Sequence, residues 1–170
     1  PKTGKVWTAN GKAGWQTEVT LEEQLDTEGD EKSVIPAQQW AFVHARQLPG
    51  DSQEFSGIQS RLEQNTVMTY GDQDAATHEN TPITVPGKPL RMFYDAFAPS
   101  SFWTTAELGM DSQFPFTVST ARNLWIKTDG TDLTMEEAAR DANGNPTSDP
   151  QDWINQGYTW ELVELGSIQS

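Results

Sequence analysis

Hydrophobic and polar residues alternate along most of this chain. In WQTEVTL (15–21), Trp15, Thr17, Val19 and Leu21 fall on one face and Gln16, Glu18 and Thr20 on the other, the period-two mark of a half-buried strand. QQWAFVHARQL (38–48) predicts a second strand of about ten residues, with Trp40, Phe42 and His44 facing away from Ala41, Val43 and Ala45. Shorter strands are expected in SGIQSRLEQ, NTVMTYG and PITV, then in KPLRMFYDAF, where Leu90, Met92 and Tyr94 oppose Arg91, Phe93 and Asp95. FPFTVST, RNLWIKT and YTWELVEL complete the set. Gly, Pro, Asn and Asp punctuate the intervals, as in LPGDSQEFSG, where Pro49 presets one dihedral and Gly50 relaxes another.

Only TMEEAARD (134–141) reads as helical, with Thr134 as cap and Glu137 three residues on. Eight or nine short strands and one short helix near 134–141 predict an all-β protein, an antiparallel β-sandwich of jelly-roll type. A β-barrel or a β-trefoil is the alternative; no repeat of regular period stands out in favour of the trefoil.

The chain of 170 residues contains seven Trp and seven Phe, enough for one domain with a real core. With no Cys, disulfides, thiolate nucleophiles and Cys-ligated zinc are all excluded. The opening residues PKTGKVW have neither the apolar stretch nor the cleavage site of a signal peptide, and no window approaches a membrane span. Pro1 fits removal of an initiator Met in a protein made in the cytoplasm without a signal; a trimmed precursor, mature outside the cell, is the competing expectation. Eleven basic residues against 25 acidic ones leave a net charge of −14, which disfavours nucleic acid.

That charge is uneven. Residues 1–17 carry Lys2, Lys5 and Lys12 without an acid, whereas 18–32 carry seven acids against Lys32. We therefore expect an extended N-terminal arm over 1–14, with Lys2, Lys5, Trp7 and Lys12 as its contact residues, ahead of a single domain over 15–170. The arm of one copy would dock on an acidic surface of its neighbour.

DANGNPTSDPQDW (141–153) raises a metal question. Asp141, Asn143, Asn145, Thr147, Asp149 and Asp152 have the oxygen-donor spacing of an EF-hand loop. Pro146 stands where such a loop requires Gly, and Asp152 is shorter than the usual bidentate Glu. Asp141, Asn143, Asn145, Asp149 and Asp152 are thus candidate ligands for Ca2+ in some other loop geometry, against the simpler reading of a polar turn rich in Asn-Gly and Asn-Pro. WINQGY is too short to be an exiting helix. No other cofactor is implied.

Catalysis finds no support. His44 is expected as a half-buried strand residue, and His78 lies in a polar loop near Asp72, Asp74 and Glu79. No nucleophile elbow, P-loop or dinucleotide fingerprint occurs. The aromatics are more informative: MFYDAFAPSSFW (92–103) and the later Trp125, Trp153, Tyr158 and Trp160 exceed what turns require. Trp103 and Trp153, both beside irregular polar sequence, are the rings expected at the surface.

Two functions follow as expectations. The first is a non-catalytic structural subunit, a virion component such as a capsid-decorating or tail protein, binding neighbouring subunits through the arm and exposed aromatics. The second is a carbohydrate-binding β-sandwich module steadied by calcium.

Overall fold

Alternating burial produces the strands, and their pairing is antiparallel throughout. The computed structural model describes residues 5–9, 17–24, 36–62, 66–74, 76–77, 79–94, 97–106, 108–109 and 112–162. The strands are β1 (Lys5–Ala9), β2 (Thr17–Glu23), β3 (Trp40–Gln47), β4 (Glu54–Ser60), β5 (Val67–Thr69), β6 (Gly71–Gln73) and β7 (Asn80–Pro82). They continue with β8 (Arg91–Phe93), β9 (Trp103–Thr105), β10 (Gln113–Phe114), β11 (Phe116–Val118), β12 (Ala121–Thr128), β13 (Leu133–Glu137) and β14 (Trp160–Glu161). One large sheet runs β1-β2-β8-β5-β4-β9-β11-β12-β13, with β3 attached to β4; β6 with β7 and β10 with β14 form two small ribbons. β4 is the junction: one edge carries β3, and the other meets β5 at Gln59–Val67 and β9 at Ser56–Trp103.

The sheet curls around the larger of two apolar clusters. Ile58, Met68, Tyr70, Leu90, Met92, Trp103, Phe116, Leu124, Ile126 and Met135 all meet there, with Trp7, Val19 and Leu21 from the first two strands. Each fully buried aliphatic side chain contributes about 1.5–3 kcal/mol. The ladder does not close, yet β13 and the turn before it are tied back to its other half: Pro89, just before β8, bridges Thr134, the Gly87 N–H donates to the Met135 carbonyl at 2.8 Å, and Lys5 Nζ of β1 donates to the Gly130 carbonyl at 3.1 Å. Trp40 Nε1 adds a bond to the Trp7 carbonyl at 3.0 Å.

The all-β, antiparallel expectation holds. Its helix is displaced: 134–137 belongs to β13, where Leu133 and Met135 are buried and five residue pairs join it to β12. Alternation in LTMEE outweighs the local capping pattern, because two residues buried in the core contribute more than one cap. The described α-helix is instead α1 (Pro150–Asn155), in the stretch read as too short for one. Pro150 at its first turn and Asp149, whose carboxylate accepts from the Gln151 N–H at 3.0 Å, start it. Gly157 ends it at φ +87°.

The N-terminal arm also needs correction. Residues 5–9 are an integral strand paired with β2 from Lys5–Glu23 to Ala9–Val19, and Trp7 is a core residue. The pairing register buries Trp7 beside Trp40, Phe116 and Trp160, with ring centroids 6.4, 5.3 and 5.3 Å away. Lys2, Lys12, Trp15 and His78 lie outside the described residues, as do Asp26, Glu28, Asp30, Glu31 and Lys32 of the acidic segment and residues 163–165 of the last predicted strand.

Candidate binding surfaces

The oxygen-rich loop spends its carboxylates on its own backbone and on the Thr147 hydroxyl. Asp141 accepts from the N–H groups of Asn143 and Asn145 at 2.9 and 3.0 Å, Asp149 caps α1, and Asp152 accepts from the Thr147 hydroxyl at 2.9 Å. Arg140 bridges Pro146 across the turn and donates to the Gly144 carbonyl, so a tight turn results. Among the described residues no three His, Asp or Glu side chains converge on a metal-sized space. Asp141, Asn143, Asn145, Asp149 and Asp152 are thus spread over a turn and a helix cap, with the three carboxylates each engaged within the loop.

Neither tryptophan expected at the surface is there. Trp103 is 1% exposed and donates Nε1–H to the Met68 carbonyl at 2.8 Å. Trp153 is buried by α1 against Trp125 and Tyr158 and donates to the Thr147 carbonyl at 2.9 Å. A nearby carbonyl for the indole N–H removes the desolvation penalty that would otherwise hold such a ring at the surface. Tyr158 is held similarly, its hydroxyl donating to the Glu137 carbonyl. Burial, then the Glu136 and Glu137 charges, push its pKa up to about 12.

Other aromatics are exposed instead. Phe42, Tyr94 and Phe97 are 51%, 50% and 66% exposed. Phe42 lies on β3, stacked on Phe116 at 6.2 Å. β3 then bulges, since His44 and Ala45 together oppose Ser56 between the Val43–Gly57 and Arg46–Phe55 pairs. His44 takes φ 55°, a left-handed conformation in which His is among the better-tolerated residues. The expected half-buried strand histidine is thus exposed: the bulge breaks the alternation on which that reading depended. The bulge sets His44 5.6 Å from Phe97 and Arg46 over the rings of Phe97 and Phe102, at 5.1 and 4.6 Å. An Arg, a His and two exposed Phe thus line an edge strand.

A second surface lies across β4, β9 and β12. Gln53, Glu54, Thr104, Thr105, Arg122 and Trp125 line an open groove of about 650 Å³. Gln53 Nε2 donates to the Thr104 hydroxyl and the Thr105 carbonyl, both at 3.0 Å. Arg122 pairs with Asp51 and stacks over Phe55 at 4.8 Å. The Gln53 N–H, and then Arg122, hold the Asp51 carboxyl below its ordinary pKa. Trp125 is half-buried, edge-on to Trp153 at 5.2 Å and 86°. Its position was legible: in RNLWIKT, inward Leu124 and Ile126 force Trp125 outward. Tyr94 and Phe97 carried no comparable signal, because the strand before them ends at Phe93.

No protein-family model and no curated protein matches the chain. Among solved structures it is similar to the designed 3-fold symmetric protein ThreeFoil, with a TM-score of 0.58 and 13% identity over 95% of this chain and 92% of that one. ThreeFoil is a β-trefoil, so the likeness fits the trefoil alternative among the all-β architectures. At that identity it concerns the fold alone.

Proposed function

We propose that the protein is a non-catalytic assembly subunit that associates with further copies of itself through the side chains of the β3 edge. The observation that supports this is the exposure of Phe42 on β3 and of Phe97 beside Arg46 and His44. Aromatics and Arg are the residue types enriched at protein contacts. Among the described residues β3 pairs with β4 alone, and the bulge interrupts its other edge, so recognition falls to side chains rather than to added strands. A virion coat or tail is the setting included in this proposal, on the sequence features alone: a strand-rich, polar chain without cysteine or a catalytic cluster.

Self-association of a chain with net charge −14 is opposed by repulsion, and salt screens that repulsion. Light scattering at low and high salt tests the reading. Association is expected to strengthen with salt and to be lost in a Phe42→Ser, Phe97→Ser double variant that still unfolds cooperatively. A wild-type protein that stays monomeric at both salts overturns it. Sugar binding, the other class raised by the aromatic content, is favoured by a different observation, the groove beside Trp125.

A further inference from the structure

We propose that the groove across β4, β9 and β12 binds a neutral saccharide, with the Trp125 ring as platform and Gln53, Thr105 and Arg122 as polar partners. This deepens the sugar-binding reading and is independent of self-association. The groove's volume of about 650 Å³ lies within the range of small-molecule sites. Trp125 is braced edge-on by Trp153, so its ring is ordered before a ligand arrives.

The polar groups around it are unevenly spent. Trp40, Trp103, Trp153 and Trp160 each donate their indole N–H to a backbone carbonyl, and that of Trp7 is sealed in the core. Among the described tryptophans, Trp125 alone has an N–H that is neither bonded within the protein nor buried. Both Gln53 amide hydrogens are committed, which leaves its oxygen as an acceptor with a fixed direction. The Thr105 hydroxyl is unspent, and Arg122 commits one nitrogen to Asp51. Donors and acceptors thus flank an aromatic ring, the complement of a sugar's hydroxyls and its C–H face. The choice of a neutral sugar follows from charge: Asp51 offsets Arg122, and Glu54 lines the same groove, so a sugar carboxylate would be repelled.

Saturation-transfer NMR and tryptophan fluorescence titration with methyl glycosides of glucose, galactose, mannose and N-acetylglucosamine, and with N-acetylneuraminic acid, test this. At least one neutral glycoside is expected to bind. Trp125→Ala should weaken it by about tenfold or more, about 1.4 kcal/mol. Trp125→Phe, which keeps a ring on Trp153, should weaken it less. Gln53→Ala at an exposed position keeps the fold intact and should also reduce binding. The Phe42→Ser, Phe97→Ser variant should bind as wild type, separating this site from the assembly surface. Silence with all four neutral glycosides, binding of the acidic sugar alone, or affinity unchanged in both Trp125→Ala and Gln53→Ala overturns the proposal.

Discussion

The aromatic cluster around Trp153 and the one around Phe97 begin from similar sequence and end oppositely. Both sit beside polar, turn-rich segments, yet Trp153 is 5% exposed and Phe97 66%. The first cluster has a carbonyl for each of its two buried polar atoms: Thr147 for the Trp153 N–H and Glu137 for the Tyr158 hydroxyl. It also has α1 to cover it. The second lies beside the bulged β3, with Arg46 across the rings of Phe97 and Phe102 and Phe97 still 66% exposed. Burial of a ring beside polar sequence is decided by the cover that the next segment can supply.

Trp153→Ala should mark the contrast most strongly, losing about 3–5 kcal/mol by denaturant unfolding because a cavity replaces the ring that α1 packs inward. Gly157→Ala should follow at about 2–4 kcal/mol, a mechanism of backbone strain plus clash. Gly157 holds φ +87°, and an added Cβ would sit 2.1 Å from the Thr128 carbonyl oxygen. Equal stability of either variant with wild type would break the view that α1 is a structural cover.

Tyr158→Phe should cost about 1 kcal/mol at neutral pH. It also sharpens the comparison through pH. A phenol whose folded pKa is raised from 10.0 to about 12 adds stability that is fully present below pH 10 and is lost as pH rises through 12. The alkaline loss of Tm in that window should shrink in Tyr158→Phe. Phe97→Ser, by contrast, should shift stability by no more than about 0.5 kcal/mol while altering association. Smallest of all, millimolar calcium should leave Tm unchanged, since the 141–152 carboxylates are spent on the turn and the cap; a clear rise would show that the loop rearranges around a cation.

The strands were legible where alternation had a core to face. Val19, Leu21, Leu124 and Ile126 are buried as their periodicity predicts, whereas Met92 and Phe93 are both buried and Tyr94 is exposed, against the alternation expected there. Legibility ended where tertiary cover took over. β3 has an alternating sequence but a bulge at His44, so its expected buried face is not formed. Thr134 and Glu137 satisfy a helix cap locally, yet β12 supplies a ladder that local sequence does not announce. The trefoil likeness was hidden because a shared backbone arrangement requires no repeated residues, and this chain shows none of regular period. The candidate groove draws Gln53, Thr105 and Trp125 from distant segments, and only Trp125's outward direction could be read in advance.

Joining β1 to the turn after β12 sets the order in which the chain matures. Lys5 leaves the ribosome before its partner carbonyl at Gly130, which follows 125 residues later. At typical elongation of about 5–20 residues per second, the first strand waits roughly 6–25 s for that partner. Its apolar Trp7 and Val6 must be kept from other chains throughout that interval. Joining the two ends of the sheet thus depends on a contact far apart in sequence, of the kind that forms more slowly than a local hairpin.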